Sequence, residues 1–347
     1  MAYTTIKKPS DYFNTVTYVA NQTDNRQITV GFQPDFTWLR DRDQAVSHQL
    51  YDGVRGALKA LASNNANAES TETDTLKSFN STGFTLGTGW GNQTTGDDYV
   101  AWNWLGANGT ASNTDGSITS TVSANTTSGF SIVSYTGTGV GNTATIGHSL
   151  GVAPSMIIVK SRDSTGRGWI VYHKSLGATK KLDLNDTTAA TTSSANWNDT
   201  EPTSSVFSVG TGGDTNTTDN FIAYCFADVK GFSKFGSYVG NGNADGTFVY
   251  TGFSPAFVMV KRSDGGTESW FVLDNKRDDG MNPRNSYLMA NLSSAEDANN
   301  STVDTDFLSN GFKLRATTDA LNTSGATYIY MAFAEEPLVG DNPCTAR

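Results

Sequence analysis

Apolar residues fall in short runs, β-branched or aromatic and partly alternating with polar positions, cut by clusters of Gly, Asn, Ser and Asp. Such runs predict strands joined by tight turns. β-Branched and aromatic side chains suit a pleated surface, and Gly, Asn, Asp and Ser supply turn geometry. One stretch departs from this pattern: Val54, Leu58 and Leu61 recur at near-helical spacing, so Tyr51 to Ser63 reads as either a short helix or a β-loop. The polar segments 105–128 and 177–200 read as long loops or links.

The strand pattern recurs three times, the signature of repeated structural units. The first block is Gly31-Phe32-Gln33-Pro34-Asp35-Phe36-Thr37-Trp38-Leu39-Arg40. The second is Gly151-Val152-Ala153-Pro154-Ser155-Met156-Ile157-Ile158-Val159-Lys160, and the third Gly252-Phe253-Ser254-Pro255-Ala256-Phe257-Val258-Met259-Val260-Lys261. In each, Gly and Pro end a loop, an apolar strand follows, and Lys or Arg closes it. Proline is tolerated at the first residue of a strand but not in its middle. Trp169 lies 15 residues after Pro154, and Trp270 lies 15 after Pro255, each opening an apolar run. The first copy has only Leu50-Tyr51-Asp52 near that offset, so its second strand is expected to pair or pack differently.

Each copy closes on an aromatic strand: Tyr99-Val100-Ala101-Trp102, Phe221-Ile222-Ala223-Tyr224 and Tyr328-Ile329-Tyr330-Met331-Ala332-Phe333. From the block proline to the alanine of that strand the spans are 67 residues (34 to 101), 69 (154 to 223) and 77 (255 to 332). These landmarks predict an all-β chain of three tandem antiparallel β-sandwich units of jelly-roll type, with aromatic strands facing inward. The expected layout is an arm at 1–11, units at 12–109, 129–231 and 232–338, a linker at 110–128 and a tail at 339–347. Trp38, Trp169 and Trp270 sit at repeat landmarks and are expected in cores.

Composition narrows the function classes. The 347 residues include 35 glycines and 8 prolines, and charged residues make up 17%, below the ~25% of an average domain. A surface wetted by hydroxyls and amides suits many turns and few long helices. Net charge is −10 and the pI is near 4.7, so nucleic acid is not an expected partner, because phosphate binding needs a basic face. No apolar run approaches the ~18 residues of a membrane span, and membrane insertion is not expected. Residues Met1 to Pro9 lack the apolar core of a secretion signal, which points to synthesis and assembly in a cytoplasm. Two cysteines are too few for a disulfide framework: Cys225 reads as a buried small hydrophobe and Cys344 as a residue of the polar tail.

The candidate chemistry is sparse. Gly147-His148-Ser149-Leu150-Gly151 fits the G-x-S-x-G nucleophile elbow, which requires a strand, a sharp turn and then a helix. Here another strand follows, so a turn between strands is the better reading, and no enzyme is expected. His48, His148 and His173 have no metal-ligand spacing, and His173 is expected to hydrogen-bond at a strand edge. Asp97-Asp98, Asp278-Asp279-Gly280 and Asp304-Thr305-Asp306 lack the spacing of a calcium loop and read as turn acids. Gly137-Thr138-Gly139-Val140-Gly141 reads as a hairpin loop. Neither a metal nor a cofactor is expected. Trp90 with Asn92, and Trp197 with Asn198, fall in Gly/Asn/Thr-rich loops. An exposed Trp ringed by amides can stack on a sugar while the amides bond its hydroxyls, which makes these four residues the candidate glycan contacts.

The blocks Gly31 to Phe36 closing on Arg40, Phe79 to Leu86, Tyr99-Val100-Ala101-Trp102 and Trp169-Ile170-Val171-Tyr172-His173, with the opening Met1 to Thr15, resemble a repeat of virion structural proteins from marine tailed bacteriophages. Many of those are labelled tail fibres or left uncharacterised. The likeness covers about residues 1–338. It implies a non-enzymatic component of the virion surface, a tail fibre or appendage subunit displaying loops toward the host. A capsid decoration protein and a module that binds or depolymerises host polysaccharide are the alternatives. Expected partners are other virion proteins and host surface glycan. Further copies of the chain are expected too, because edge strands with few Lys and Arg need covering.

Overall fold

The computed structural model of the chain describes residues 4–141, 144–278, 280–340 and 343. The protein is all-β, and antiparallel sheets of four, eight and five strands dominate it, each containing an equivalent array of four. In the first, Phe13–Val19, Asp98–Trp104, Phe36–Asp41 and Gln49–Asp52 lie side by side in that order. The second runs Phe130–Thr136, Asn220–Phe226, Met156–Ser161, Trp169–His173. The third runs Ser233–Val239, Thr327–Pro337, Phe253–Arg262, Phe271–Asp274. In each, the block strand is central, paired with the closing aromatic strand on one side and the fourth strand on the other; in the third it begins before the block proline, against expectation, and Pro255 sits at a register shift. The registers correspond. Trp38 faces Trp102, Ile158 faces Tyr224 and Met259 faces Met331. Phe36 pairs with Asp52, Met156 with His173 and Phe257 with Asp274. The fourth strand of the first sheet thus pairs like the others, against the expectation that it would differ.

A smaller sheet covers one face of each array. Arg26–Thr29, Gly83–Leu86 and Leu76–Asn80 form the first, Ala144–Gly147 and Val206–Val209 the second, and Phe248–Tyr250, Gly311–Leu314 and Thr305–Leu308 the third. Alternation along the central strands shows why their runs are continuously apolar. Leu39, Ile157 with Val159, and Val258 with Val260 point into three separate sandwich interiors. Their neighbours Phe36 and Trp38, Met156 and Ile158, and Phe257 and Met259 point the other way, into one core shared by all three sheets. A sheet buried on both faces needs apolar side chains in both phases. The shared core is tight: the void lined by Phe36, Trp38, Ile158, Tyr224, Phe257 and Met331 measures about 10 Å³, at the lower limit for a single water.

Other expectations are corrected locally. Tyr51 to Ser63 forms no helix; the chain turns at Gly56, whose φ of 96° no helix accepts, and Lys59–Ala60 is a strand. The expected linker at 110–128 is instead a hairpin, Ala111–Asn113 with Ser120–Asn125, whose second strand pairs with Phe130–Thr136 and covers that edge of the second sheet. The segment 177–200 contributes the strand Lys180–Asp183 and the one-turn helix Ser194–Trp197. Trp38, Trp169 and Trp270 are core residues, and Cys225 is buried, with its thiol pushed up by burial. Cys344 and Asp279 lie outside the described residues.

Candidate functional site: the three junctions

Three junctions join the sheets, and equivalent positions build each one. The residue four before the end of the fourth strand is Trp169 in the second sheet, Trp270 in the third and His48 in the first. Its backbone N–H donates to an Asn side chain in all three: His48 to Asn64 at 3.1 Å, Trp169 to Asn185 at 2.8 Å and Trp270 to Asn291 at 2.9 Å. Its ring then crosses to the neighbouring sheet. Trp169 Nε1 donates to the Ala62 carbonyl (2.9 Å), and Trp270 Nε1 to the Asp183 carbonyl (3.0 Å). His48 Nε2 meets the Met289 carbonyl at 3.1 Å. Second to first, third to second, first to third: the ring closes.

The last residue of the fourth strand forms a second closed ring. Asp52 accepts from Tyr224 Oη at 2.8 Å, and Asp274 accepts from Trp102 Nε1 at 2.9 Å. At the third junction, His173 Nε2 meets the Tyr330 carbonyl at 3.2 Å. Two junctions add ions. Asp52 takes Arg55 at 2.5 Å, Arg55 reaches Glu69 at 3.1 Å, and Glu69 crosses to Arg162 at 3.0 Å. The other repeats it: Asp274 takes Arg277 at 2.7 Å, Arg277 reaches Glu296 at 2.5 Å, and Glu296 crosses to Arg42 at 2.7 Å. Burial works to raise the Asp274 carboxyl, but Arg277 and the surrounding donors outweigh it and hold it below its ordinary value. The third junction has His173, Leu176, Ala190 and Ser263 in those places; besides the His173 contact it has the backbone bond from Ala190 N–H to the Ser263 carbonyl at 3.1 Å in place of the ion pairs.

Each central strand also ends on a buried base. Arg40 donates to the Ser293 and Ser294 carbonyls of the third unit, and Lys261 to the Thr187 carbonyl of the second. Lys160 donates to the carbonyl of Ser161. Burial lowers Lys160 and Lys261 to about 8 and Arg40 to about 10. Arg40 and Lys261 thus close their junctions with the neighbouring loop, whereas Lys160 bonds within its own strand.

The four candidate glycan contacts do not form a site. Trp197 is 1% exposed and packs edge-on to Tyr172 inside the second sandwich. Asn92 is buried, accepts from Asn21 N–H and Arg26, and donates to the Thr23 and Gly87 carbonyls. Asn216 and Asn322 make the same clamp in the other units, each accepting from the turn after the first strand and donating to the Gly210 or Ala316 carbonyl. Asn92 therefore pins a loop. Trp90 is half-buried, and Asn198 is half-buried at the left-handed end of the Ser194–Trp197 helix, in a different unit. The Ser149 hydroxyl accepts from Asn113 Nδ2 (2.7 Å), and both His148 ring nitrogens are taken by backbone groups. His173 lies at a buried junction and not at an open edge. Among the described residues no group of three or more His, Cys, Asp or Glu could hold a metal ion. No helix in them is long and apolar enough to cross a membrane.

The sequence held a signal for the ion-paired junctions: Asp-x-x-Arg recurs at Asp52–Arg55 and Asp274–Arg277. The His48 position had no such signal, since nothing in composition equates His with Trp.

Fold and junctions together define an all-β protein of three sandwich-like units locked around one core. The chain belongs to the family described as Domain of unknown function (DUF7483), whose model matches residues 8–337 and so spans all three sheets. No curated protein and no solved structure matches it.

Proposed function

We propose that the chain is a non-enzymatic structural subunit of a phage particle's exterior, a tail fibre or appendage component that displays loops toward the host. The observation that supports this reading best is the closed ring of junctions. It braces one chain into a three-unit body around a shared core, with exposed turns such as 21–25 and 241–245 outside it. A rigid body with displayed loops serves attachment and particle architecture, and binding residues on loops are held best by such scaffolds. Phe13–Val19 and Ser233–Val239 each end their sheet, which leaves edges for other virion proteins or further copies of the chain. The test is immunogold labelling of intact particles with antibody against the chain. Gold on the tail supports the reading, gold on the shell favours capsid decoration, and particles without label contradict both.

A further inference from the structure

The three units differ at one corner, beside the fourth strand of each main sheet. The registers make Gln49, Ile170 and Phe271 equivalent, since each lies three residues before Asp52, His173 or Asp274. The next segment pairs with that strand through Leu61, Leu182 or Leu288. Ala60 therefore matches Lys181 and Tyr287, and Ala62 matches Asp183 and Met289. In the second and third units the chain's own side chains fill the corner. Lys181 Nζ bonds Asp183 at 2.9 Å, and a Cβ added at Gly168 would meet Asp183 Oδ1 at 3.2 Å and Ile170 Cδ1 at 3.9 Å. Phe271 packs edge-on to Tyr287 with centroids 5.4 Å apart, and Tyr287 Oη donates to Asp297 at 2.9 Å. In the first unit Ala60 and Ala62 are too short for either arrangement, and a cavity of about 220 Å³ stands open there.

Side-chain amides of Gln49, Asn65 and Asn67 line this cavity with the hydroxyls of Ser47 and Ser70, and none of the described residues lining it is charged. Much of that hydrogen-bonding capacity is unused. Tyr51 Oη reaches only the Gln49 oxygen, Asn67 N–H only the Asn65 oxygen and Asn64 Nδ2 only the Ser47 oxygen. The side-chain N–H groups of Gln49 and Asn65 are left without a partner among the described residues. A sugar hydroxyl both donates and accepts, as amides and Ser hydroxyls do, whereas a charged ligand would lie unpaired against such a lining. The volume falls below the ~300–1,000 Å³ of sites for drug-sized molecules, which suits a single ring. The walls are held before any ligand arrives. Leu50 and Leu61 exchange both backbone bonds, and the second unit grips the loop, with Gly166 N–H donating to the Ala66 carbonyl (2.8 Å) and Ala68 N–H to Thr165 Oγ1 (3.3 Å). Such preorganisation reduces the entropy lost on binding.

We infer that this cavity binds one neutral pyranose ring, with its hydroxyls bonded to Gln49, Asn65 and Asn67 and its C–H groups against the alanines. The site is separate from Trp90, Asn92, Trp197 and Asn198, and the inference stands apart from the proposed virion role. Titration of the full chain, followed by saturation-transfer NMR, tests it with glucose, galactose, mannose and N-acetylglucosamine, with their methyl glycosides and with glucuronate. At least one neutral sugar binds and glucuronate does not. Ala62→Met, which copies the third unit, abolishes binding, and Asn67→Ala weakens it by about three- to tenfold, the scale of one neutral hydrogen bond. Asn67 is exposed, so its variant carries the comparison should Ala62→Met fold poorly. A methyl glycoside that still binds extends the site to the end of a glycan, and one that does not restricts it to free sugar. The inference is overturned if no neutral sugar binds, or if glucuronate binds as tightly as the best of them. Binding that Ala62→Met and Asn67→Ala both leave unchanged overturns it equally.

Discussion

All three histidines are locked in one tautomer. Trp38 Nε1–H donates to His48 Nδ1, Leu150 N–H to His148 Nδ1 and Ser175 N–H to His173 Nδ1. Each Nδ1 is thus an acceptor, and each Nε2 must carry the proton it gives to the Met289, Thr203 or Tyr330 carbonyl. A second proton would sit on Nδ1, facing a donor. Burial lowers all three, His173 to about 4 and His48 well below its ordinary value. A histidine whose folded value lies below its unfolded one of ~6.5 binds protons more readily when unfolded. Its contribution is therefore intact above pH ~6.5 and is lost as pH falls toward the folded value, by about 1.4 kcal/mol per pH unit for each such group. Denaturant titrations from pH 7 to 4.5 should show stability falling, with a shallower fall in His173→Gln. Equal slopes would mean that His173 is not held neutral. At the same scale, Trp270→Ala should cost about 3–5 kcal/mol, as truncating a buried aromatic does, while Trp90→Ala in its half-buried loop should cost less than half as much in the same titration.

At the scale of elements, the two ion-paired junctions and the apolar one are alternative solutions to one problem. Removing one partner of a buried pair leaves a charge without compensation and costs about 3–5 kcal/mol, whereas exchanging the whole set for apolar groups is often neutral. Arg55→Leu alone should therefore destabilise strongly. The set Asp52→His, Arg55→Leu, Glu69→Ala and Arg162→Ser, which copies the third junction, should restore most of the loss when both are unfolded in urea. A combined variant worse than Arg55→Leu would show that the junctions are not equivalent. The elements were the legible part of the sequence. Block prolines, Trp landmarks and aromatic closing strands all fell where strands form, because turn chemistry and β-propensity are local. The junctions were hidden because Trp169 with Ala62, or His48 with Met289, are far apart in sequence and chemically unlike from one copy to the next. Trp197 and Asn92 misled for a related reason. A residue amid Gly and Asn looks exposed, yet those loops fold back to plug the sandwich ends.

For the whole molecule, the shared core changes what three sheets in tandem mean. Tandem sandwiches with private cores would unfold one by one. Here each main sheet gives one face to a common interior, and each junction leans on the next, so no unit keeps its buried surface if a neighbour leaves. Three equivalent sheets thus surround one interior within a single chain. Hydrogen exchange read by mass spectrometry at rising denaturant measures this directly, by following the closing strands Asp98–Trp104, Asn220–Phe226 and Thr327–Pro337. Loss of protection in all three at one denaturant concentration is the predicted result; one strand exchanging well before the other two would contradict a single locked body.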